Sequence, residues 1–455
     1  MTARATGGKA PRWIAALVAL FLVSLGSSAA ACDLDRESDS DPYEIRTADE
    51  FDMIGTNGCS VTDDYVVMND IDMGDLTNAQ YTPPASPFSG TLEGNANLTK
   101  LPVIRNLVLS NVGPLLPTDG GTIRNLGFVD ITFIGSEDGP AGFGLFAYWP
   151  ANQGISFVDV VLSDVKIRDS GSKGAGALIG RGAGSGIVVL DGVRTHSVTV
   201  SSTGQAAGIL IGYEVGHLSV SDVFLDASSR VSADGSNAGG VAGQASIVTA
   251  SDVHVDATIG PATLNNAAGA VIGSVDEGSF ERIRVASDAA ILGGIDNVGG
   301  LVGFADDRVQ VRDSYSRADL QSGSVSAGGL LGWIDGPAAA VSSHEVYIAG
   351  QINSAASNSG ALIGQANGTT VSYVDVVWDA SVTGYIVSAT GSIDSNSSVS
   401  GTTVSMTTTS AKTKASYTTS PLDWDFTNTW KIESGKNDGY PILQRAVDVP
   451  DLPTI

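Results

Sequence analysis

The chain has 455 residues, of which 56 are glycine and only 16% are charged. Acidic residues outnumber basic residues by 49 to 24, which gives a formal net charge of −25 at pH 7. This charge argues against nucleic acid as a partner, because the protein has no basic excess with which to neutralise phosphates.

Residues 1–31 have the pattern of a secretory signal peptide. Three bases, Arg4, Lys9 and Arg12, precede the 14-residue apolar run WIAALVALFLVSLG at residues 13–26, and small residues follow up to Cys32. The run is shorter than the roughly 20 residues that a membrane-spanning helix needs. The pattern therefore predicts export of the chain.

Cys32 has two possible fates. The small residues before it resemble the lipobox of bacterial lipoproteins, in which the cysteine becomes the lipid-carrying first residue, although Ala29 stands where leucine is usual. Alternatively, Cys32 pairs with Cys59, the other of the two cysteines, because exported proteins meet an oxidising environment. We predict lipid attachment at Cys32. The acidic residues 32–42 are predicted to form a solvated tether.

A five-residue pattern of glycines around apolar residues occurs seven times between residues 176 and 390. The copies read GALIG, GILIG, GGVAG, GAVIG, GGLVG, GGLLG and GALIG, and they start 29 to 32 residues apart. Their first and last glycines are Gly176 and Gly180, Gly208 and Gly212, Gly239 and Gly243, Gly269 and Gly273, Gly299 and Gly303, Gly328 and Gly332, and Gly360 and Gly364. This spacing is typical of a repeat architecture.

Each repeat also contains a segment with alternating polarity, such as VSDVFLDA from Val220. In a strand, Val223 and Leu225 would face one side and the intervening side chains the other. Stacked repeats would bury the apolar sides and pair their backbones, which predicts an all-β fold, a right-handed parallel β-helix with coils of about 30 residues. The glycines are predicted to supply positive φ at corners and close approach between coils. A seven-bladed propeller is the alternative, but its blades need roughly 40 to 45 residues.

The flanking regions are predicted to close the two ends of the stack, because an open stack exposes unpaired strand edges. Residues 43–175 would form the N-terminal cap and irregular first turns. Residues 391–420, which are rich in serine and threonine, are predicted to be a loop. Residues 421–445 contain Trp424, Phe426, Trp430 and Tyr440 and are predicted to form a capping mini-core over the last turn, and residues 446–455 form a tail.

Several segments resemble bacterial surface proteins with the GLUG motif, often labelled adhesins or haemagglutinins. The resemblance rests on GGLVG with DSYSRA at residues 313–318, on YVVMNDIDM at residues 65–73, and on DWDFTNTWKIESGKNDGYPIL at residues 423–443. It implies a β-helical protein of the cell surface that binds other molecules without catalysis.

Candidate chemistry is confined to the carboxylates of the alternating segments. No nucleophile motif, phosphate loop or metal-ligand spacing is present, and the four histidines are isolated in sequence. Stacking would place Asp222 and Asp226 beside Asp252 and Asp256, at a separation of about 5 Å that a retaining glycosidase could use. The same columns could bind Ca²⁺. The favoured interpretation is a solvated face with no catalytic residues and no cofactor.

The sequence thus favours an exported, lipid-anchored monomer on the outer surface of a bacterial cell, which binds a cell-surface, glycan or matrix ligand. Its only membrane contact would be the lipid on Cys32. The alternatives are a polysaccharide-active lyase or hydrolase that uses the outward aspartates, and a passive spacer of the envelope. Secreted and periplasmic locations also remain open.

Overall fold

The computed structural model describes residues 31–445, except for 78–80, 111–113, 136–141, 147–152, 172–173, 183–185, 236, 263–266, 294–295, 324, 338, 355–357 and 385–387. Residues 1–30 and 446–455, and with them most of the predicted signal peptide and the whole tail, lie outside the described residues.

The described chain is almost entirely β-structure. The first strands are β1 (Tyr43–Ile45), β2 (Tyr65–Val67), β3 (Ile71–Asp72), β4 (Thr91–Gly94), β5 (Val103–Ser110), β6 (Gly121–Gly135), β7 (Ile155–Ser163), β8 (Lys166–Asp169), β9 (Ile179–Arg181), β10 (Ile187–Asp191), β11 (Arg194–His196), β12 (Thr199–Ser202), β13 (Ala206–Gly208), β14 (Ile211–Leu225), β15 (Arg230–Ala233), β16 (Asn237–Gly239), β17 (Ala242–Val255) and β18 (Thr258–Ala262). The chain continues with β19 (Ala267–Gly269), β20 (Ile272–Glu281), β21 (Arg284–Val285), β22 (Ala290–Gly293), β23 (Asn297–Gly299), β24 (Val302–Ala305), β25 (Arg308–Ser316), β26 (Asp319–Ser322), β27 (Ser326–Gly328), β28 (Leu331–Asp335), β29 (Ala340–Ile348), β30 (Ile352–Ser354), β31 (Asn358–Gly360), β32 (Ile363–Asn367), β33 (Thr370–Asp379), β34 (Thr390–Ile393), β35 (Ser398–Met406), β36 (Trp430–Lys431) and β37 (Ile442–Leu443). The helices are α1 (Ala48–Phe51), α2 (Ala380–Thr383) and α3 (Thr408–Ala411), with the 3₁₀ turns η1 (Met73–Asp75), η2 (Lys414–Ser416) and η3 (Asn437–Gly439).

The strands stack in parallel from one coil to the next and form a β-solenoid of about ten turns. Strand β14 pairs with β17, and β17 with β20, so that Val223 lies opposite Val253. Six short strands, β13, β16, β19, β23, β27 and β31, form a separate sheet along one side. The predicted all-β repeat fold is confirmed, and the propeller is wrong.

The interior of the solenoid is built from the same position of each successive coil. Val223, Val253, Ile283, Val346 and Val376 share one such position and have no exposed surface. Burying an aliphatic side chain of this size contributes roughly 1.5–3 kcal/mol. A short strand thus gains a core only because its neighbours repeat it.

The long stretches of β-structure bend at residues in the left-handed region of backbone space, which lie within a strand or directly after it. From β7 to β33 these residues include Asp159, Gly192, Asp222, Asp252, Arg282, Asp313, Glu345 and Asp375. Aspartate is enriched at such positions because its short polar side chain tolerates positive φ better than bulkier residues do. The Asp in the VSDV pattern, predicted to be a plain outward strand residue, therefore marks a bend.

The repeat glycines allow neighbouring coils to approach closely. None of the fourteen lies in the left-handed region, so the predicted need for positive φ at these corners is wrong. A Cβ atom on Gly303 would lie 2.6 Å from the backbone nitrogen of Ala268 and 2.6 Å from the carbonyl oxygen of Gly273. Any side chain here would collide with backbone that cannot move independently.

The N-terminal residues 32–42 pack on the first coil, and the predicted solvated tether is corrected. The side chain of Leu34 is buried in the main core, and the backbone N–H of Glu44 donates to the carbonyl of Asp35. Cys32 is bonded to Cys59, with their Cα atoms 4.4 Å apart. Because a sulfur in a disulfide cannot also carry a lipid, lipid attachment at Cys32 is not the state of this structure.

Of the serine- and threonine-rich residues 391–420, predicted to be a loop, residues 391–406 form the end of the stack, and residues 407–420 begin the C-terminal segment described below. Strand β34 pairs with β32, and β35 pairs with β33 in parallel. Alternating valines and hydroxyl residues, such as Val399 and Ser400, are compatible with a strand as well as with a loop. The preceding coil provides the strand with which they pair. Residues at the start of β35 remain exposed, so this end of the stack is open.

Residues 407–445, named here the C-terminal segment, lie along the flank of the solenoid. The prediction of an aromatic mini-core is correct in its residues, because Trp424, Trp430 and Tyr440 are buried together. The cluster extends beyond its predicted place over the last turn: besides Val377 and Met406 of the last coils, it includes Tyr315 and Tyr347, which point outward from two earlier coils. No helix among the described residues is long and apolar enough to cross a membrane.

Candidate functional site

The C-terminal segment is attached to the solenoid by stacked aromatic rings. Tyr347 lies with its ring nearly parallel to that of Tyr315, at 4.9 Å between centroids, and to that of Tyr440, at 6.0 Å. Trp430 packs against Trp424 at 4.6 Å. Rings of this kind contribute both buried area and favourable pair geometry. The flank and the segment therefore form one small core of their own.

A buried carboxylate lies at the centre of this attachment. Glu345, whose side chain is buried, accepts a hydrogen bond from Nε1 of Trp430 at 2.8 Å and one from the backbone N–H of Asp425 at 3.2 Å. Burial raises the pKa of Glu345 to about 7, although both hydrogen bonds favour the ionised form. The protonation of one carboxyl thus affects how firmly the segment is held.

An open groove of about 650 Å³ lies where the edge of the C-terminal segment meets the coils, and we call it the junction groove. Its lining from the coils includes His254, Arg284, Tyr315 and Arg317. Its lining from the segment consists of Lys431, Glu433, Gly435, Lys436, Asn437, Asp438, Ile442 and Leu443. Twelve of the sixteen lining residues have hydrogen-bonding side chains, and the others are Ala286, Gly435, Ile442 and Leu443. A concave space with many donors and acceptors suits a ligand that is rich in hydroxyl groups.

Four charged groups in the junction groove form two ion pairs. The pairs are Arg317 with Asp438 (Nη2 to Oδ2, 2.6 Å) and Lys431 with Glu433 (Nζ to Oε2, 3.0 Å), and Nε2 of His254 lies 2.9 Å from Oδ1 of Asp256. Arg317 also donates to Oδ1 of Asn437 at 2.8 Å and lies 4.8 Å from the ring centroid of Tyr440. These pairs fix the shape of the groove wall.

Arg284 differs from the other charged residues of the groove. It is 7% exposed, it donates through Nη2 to the backbone carbonyl of Arg445, and its Nε has no hydrogen-bond partner among the described residues. No carboxylate of the described chain forms an ion pair with it. Burial lowers the pKa of Arg284, which is the direction expected for a cation removed from water.

Three of the four aspartates that the sequence offered as catalytic candidates are engaged elsewhere, and the fourth, Asp256, lines the junction groove beside His254. Asp222 pairs with Arg194 at 2.6 Å, and Asp226 lies 3.0 Å from Nδ1 of His196. Asp252 accepts hydrogen bonds from Nε and Nη2 of Arg282, each at 2.8 Å. Burial raises the pKa of Asp252, but the Arg282 hydrogen bonds and charge lower it more, so the net shift is downward. A general acid needs the opposite shift.

The aspartates of successive coils lie in the register that stacking of the repeats predicts. Ser221 lies opposite Ser251 and Val223 opposite Val253, which places Asp222 and Asp252 at the same position of neighbouring coils. Among the described residues, no group of three or more His, Cys, Asp or Glu side chains is placed to hold a metal ion. The proposed Ca²⁺ column therefore has no supporting cluster in that part of the chain.

The sequence did not reveal the junction groove. Its two walls are separated by more than a hundred residues, as the 121-residue separation of Arg317 and Asp438 shows. One available signal was the charge distribution: residues 407–445 carry five bases and four acids, whereas residues 31–406 carry 16 bases and 43 acids. A segment with so different a balance was a candidate for contact with the acidic body.

The chain was also compared with known proteins. No family model matches it, and no curated protein matches it. Among solved structures, one similar chain is a protein of Bacteroides ovatus described as a "putative immunoglobulin A1 protease". The two are 18% identical, the match covers 90% of this chain and 93% of that one, and the TM-score is 0.32. A similarity at this level carries no argument about the activity of this chain.

Proposed function

We propose that this protein is an exported binding protein that holds a saccharide in the junction groove without cleaving it. The observation that carries the proposal is the groove itself, with a volume of about 650 Å³ and a lining of hydrogen-bonding side chains beside the ring of Tyr315. Its volume lies within the roughly 300–1,000 Å³ of ligand sites. Its polarity matches a ligand that is rich in hydroxyl groups.

The arrangement of carboxylates supports binding without catalysis. Glycoside cleavage uses two carboxyl groups on either side of the bond, one of them with a raised pKa. Glu345 has a raised pKa but is buried beneath the C-terminal segment, where it binds Trp430. A polysaccharide-active enzyme is the competing proposal, and cleavage of a bound glycan would replace ours with it.

The proposed setting is the bacterial cell surface, which the resemblance to GLUG proteins implies. In this setting the signal-like residues 1–31 direct export, and Cys32 is held in the disulfide with Cys59. Mass spectrometry of protein purified from its native cells distinguishes the two fates of Cys32. An unlipidated chain with no reactive thiol supports the disulfide, whereas a lipid on the N-terminal cysteine with Cys59 free contradicts it.

A glycan-array experiment with two matched variants tests the binding function. Ser287 is exposed and lines the groove, so Ser287→Trp should fill it and weaken glycan binding at least tenfold. Ala227 is exposed at the corresponding position two coils earlier, outside the groove, so Ala227→Trp should bind as the wild type does. If no glycan binds the wild type, or if both variants bind equally well, the proposal is wrong and a passive spacer is favoured.

Protease treatment of intact native cells tests the location. Loss of the solenoid signal, with a periplasmic protein left intact as a lysis control, supports exposure on the outer surface. Full protection would contradict the surface proposal and favour a periplasmic role.

A further inference from the structure

We infer that the ligand of the junction groove carries a carboxylate group, and that Arg284 binds this group; the inference rests on the proposed function and names the class of saccharide. The molecule that fits is an acidic saccharide, such as a uronic-acid oligomer. Arg284 is a buried cation that forms no ion pair with a carboxylate of the described residues.

Arg284 belongs to a column of outward residues that also contains Arg194. The register joins Arg194 to Phe224, Phe224 to His254 and His254 to Arg284, one residue per coil. Arg194 is equally buried, at 7% exposure, and its Nη2 lies 2.6 Å from Oδ2 of Asp222. Asp222 is the bend residue of the following coil, so the fold has a way to neutralise an arginine at this position.

The same solution is available to Arg284 but is not used. The bend residue of the following coil is Asp313, and no ion pair joins it to Arg284 in the described chain. The nearby carboxylate of Asp252 already accepts hydrogen bonds from Nε and Nη2 of Arg282. The charge of Asp252 acts on Arg284, but without an ion pair the desolvation of a buried guanidinium is only partly offset. Arg284 therefore has unused capacity to bind an anion.

Arg284 lines the junction groove, so an anion that it binds would lie in the groove. Its side chain lines the cavity together with His254, whose Nε2 lies 2.9 Å from Oδ1 of Asp256. Lys436, which is exposed on the opposite wall, adds a second cation within the same cavity. An anion that entered between the two walls would thus meet the Arg284 guanidinium on one side and the Lys436 ammonium on the other.

The surrounding acids favour a singly charged, planar anion. Asp256, Asp288, Glu433 and Asp438 also line the groove, and their charges would repel a doubly charged phosphate. A carboxylate carries one charge, and its two oxygens match the fork of N–H groups on a guanidinium. Since the rest of the lining suits hydroxyl groups, the carboxylate belongs to a sugar.

The test uses trisaccharides of galacturonic, glucuronic and mannuronic acid, each as the free acid and as the full methyl ester, which keeps the sugar and removes the charge. Calorimetric titration of the full chain should show at least one acid that binds tenfold or more tightly than its ester. Arg284→Gln should abolish that difference, so that the acid binds no more tightly than its ester. Arg194→Gln, in the same column but outside the groove, should keep it, and Arg284→Lys should retain part of it because charge remains without the fork.

The outcomes separate this inference from the proposed function. Esters or neutral glycans that bind as tightly as the acids, or an acid preference that survives Arg284→Gln, would overturn the carboxylate assignment and leave saccharide binding intact. A sulfated saccharide that binds through Arg284 when no uronate does so would overturn it as well. If no saccharide binds at all, both proposals fail. The unfolding midpoint of each variant checks that a loss of binding is not a loss of fold.

Discussion

The coil stack and the C-terminal segment are stabilised in different ways. In the stack, every coil repeats the same backbone pairing and the same apolar positions, so that Val223 pairs with Val253 just as neighbouring residues do. In the segment, three short helical turns and a two-stranded antiparallel pair are attached by individual side chains, among them Trp430 and Glu345. The stack is therefore sensitive to anything that separates coils, and the segment to single contacts and to pH.

The largest effect is expected from Gly303→Val, which would break the stack itself. The new side chain would meet backbone atoms of the preceding coil at 2.6 Å, so two coils would have to separate. We expect a loss of more than about 4 kcal/mol, beyond the usual range for overpacking because backbone must move. Urea unfolding followed by circular dichroism measures it. Ser279→Val, at an exposed outward position, is the control, and a midpoint for Gly303→Val equal to that control would contradict the prediction.

Trp430→Ala should release the segment and leave the stack folded. The change removes a fully buried ring and the donor to Glu345, which together correspond to roughly 3–5 kcal/mol of docking free energy. Trypsin should then cut at Lys431 and Lys436 while the β-sheet signal in circular dichroism persists. Trp333→Ala, a half-buried tryptophan in the stack, should leave these sites protected. Protected sites in both variants would show that other contacts hold the segment.

Docking of the segment should weaken as the pH rises from about 5 to 8. The pKa of Glu345 is about 7 in the folded protein and 4.5 ordinarily. Between these pH values the docked state therefore binds more protons than the released state. The stability that this protonation contributes is lost as the pH rises through about 7. Acids with lowered pKa in the segment, such as Asp425 and Asp438, remain ionised throughout this window. Glu345→Gln should remove most of the dependence, measured as the rate of tryptic release at each pH. A parallel slope in the variant would assign the effect to other groups.

The smallest effect concerns the bends. Asp313 has a φ of 47°, which glycine adopts without strain and a β-branched residue does not. Asp313→Val should therefore cost about 1–2 kcal/mol, whereas Asp313→Gly should stay within about 0.5 kcal/mol of the wild type. Unfolding midpoints of the two variants measure the difference. Equal midpoints would mean that the bend relaxes around any side chain.

The stack could be predicted from the sequence because each coil repeats the same local pattern. Glycine spacing and alternation around Val223 specify which positions are buried, and the register then follows from stacking. The bends escaped prediction because Asp222 looks the same in a straight strand and in a left-handed bend. The groove could not be predicted because no local pattern indicates that the chain after residue 407 returns to Tyr315 and Tyr347. A five-residue glycine pattern describes a coil, but it carries no information about what covers that coil.

The close packing of the repeat glycines against the backbone of neighbouring coils also affects how the length of this protein can change. Because Ala207 and Ala238 hold the same place in successive coils, removing residues 208–238 would join two equivalent positions and shorten the molecule by one coil. The groove residues from His254 onward would be untouched. Removing a coil beneath the segment would instead shift Tyr315 or Tyr347 away from their partners. We expect whole-coil insertions and deletions to be tolerated on the N-terminal side of the groove and excluded beneath the segment, so the solenoid can vary in length while the junction groove stays constant.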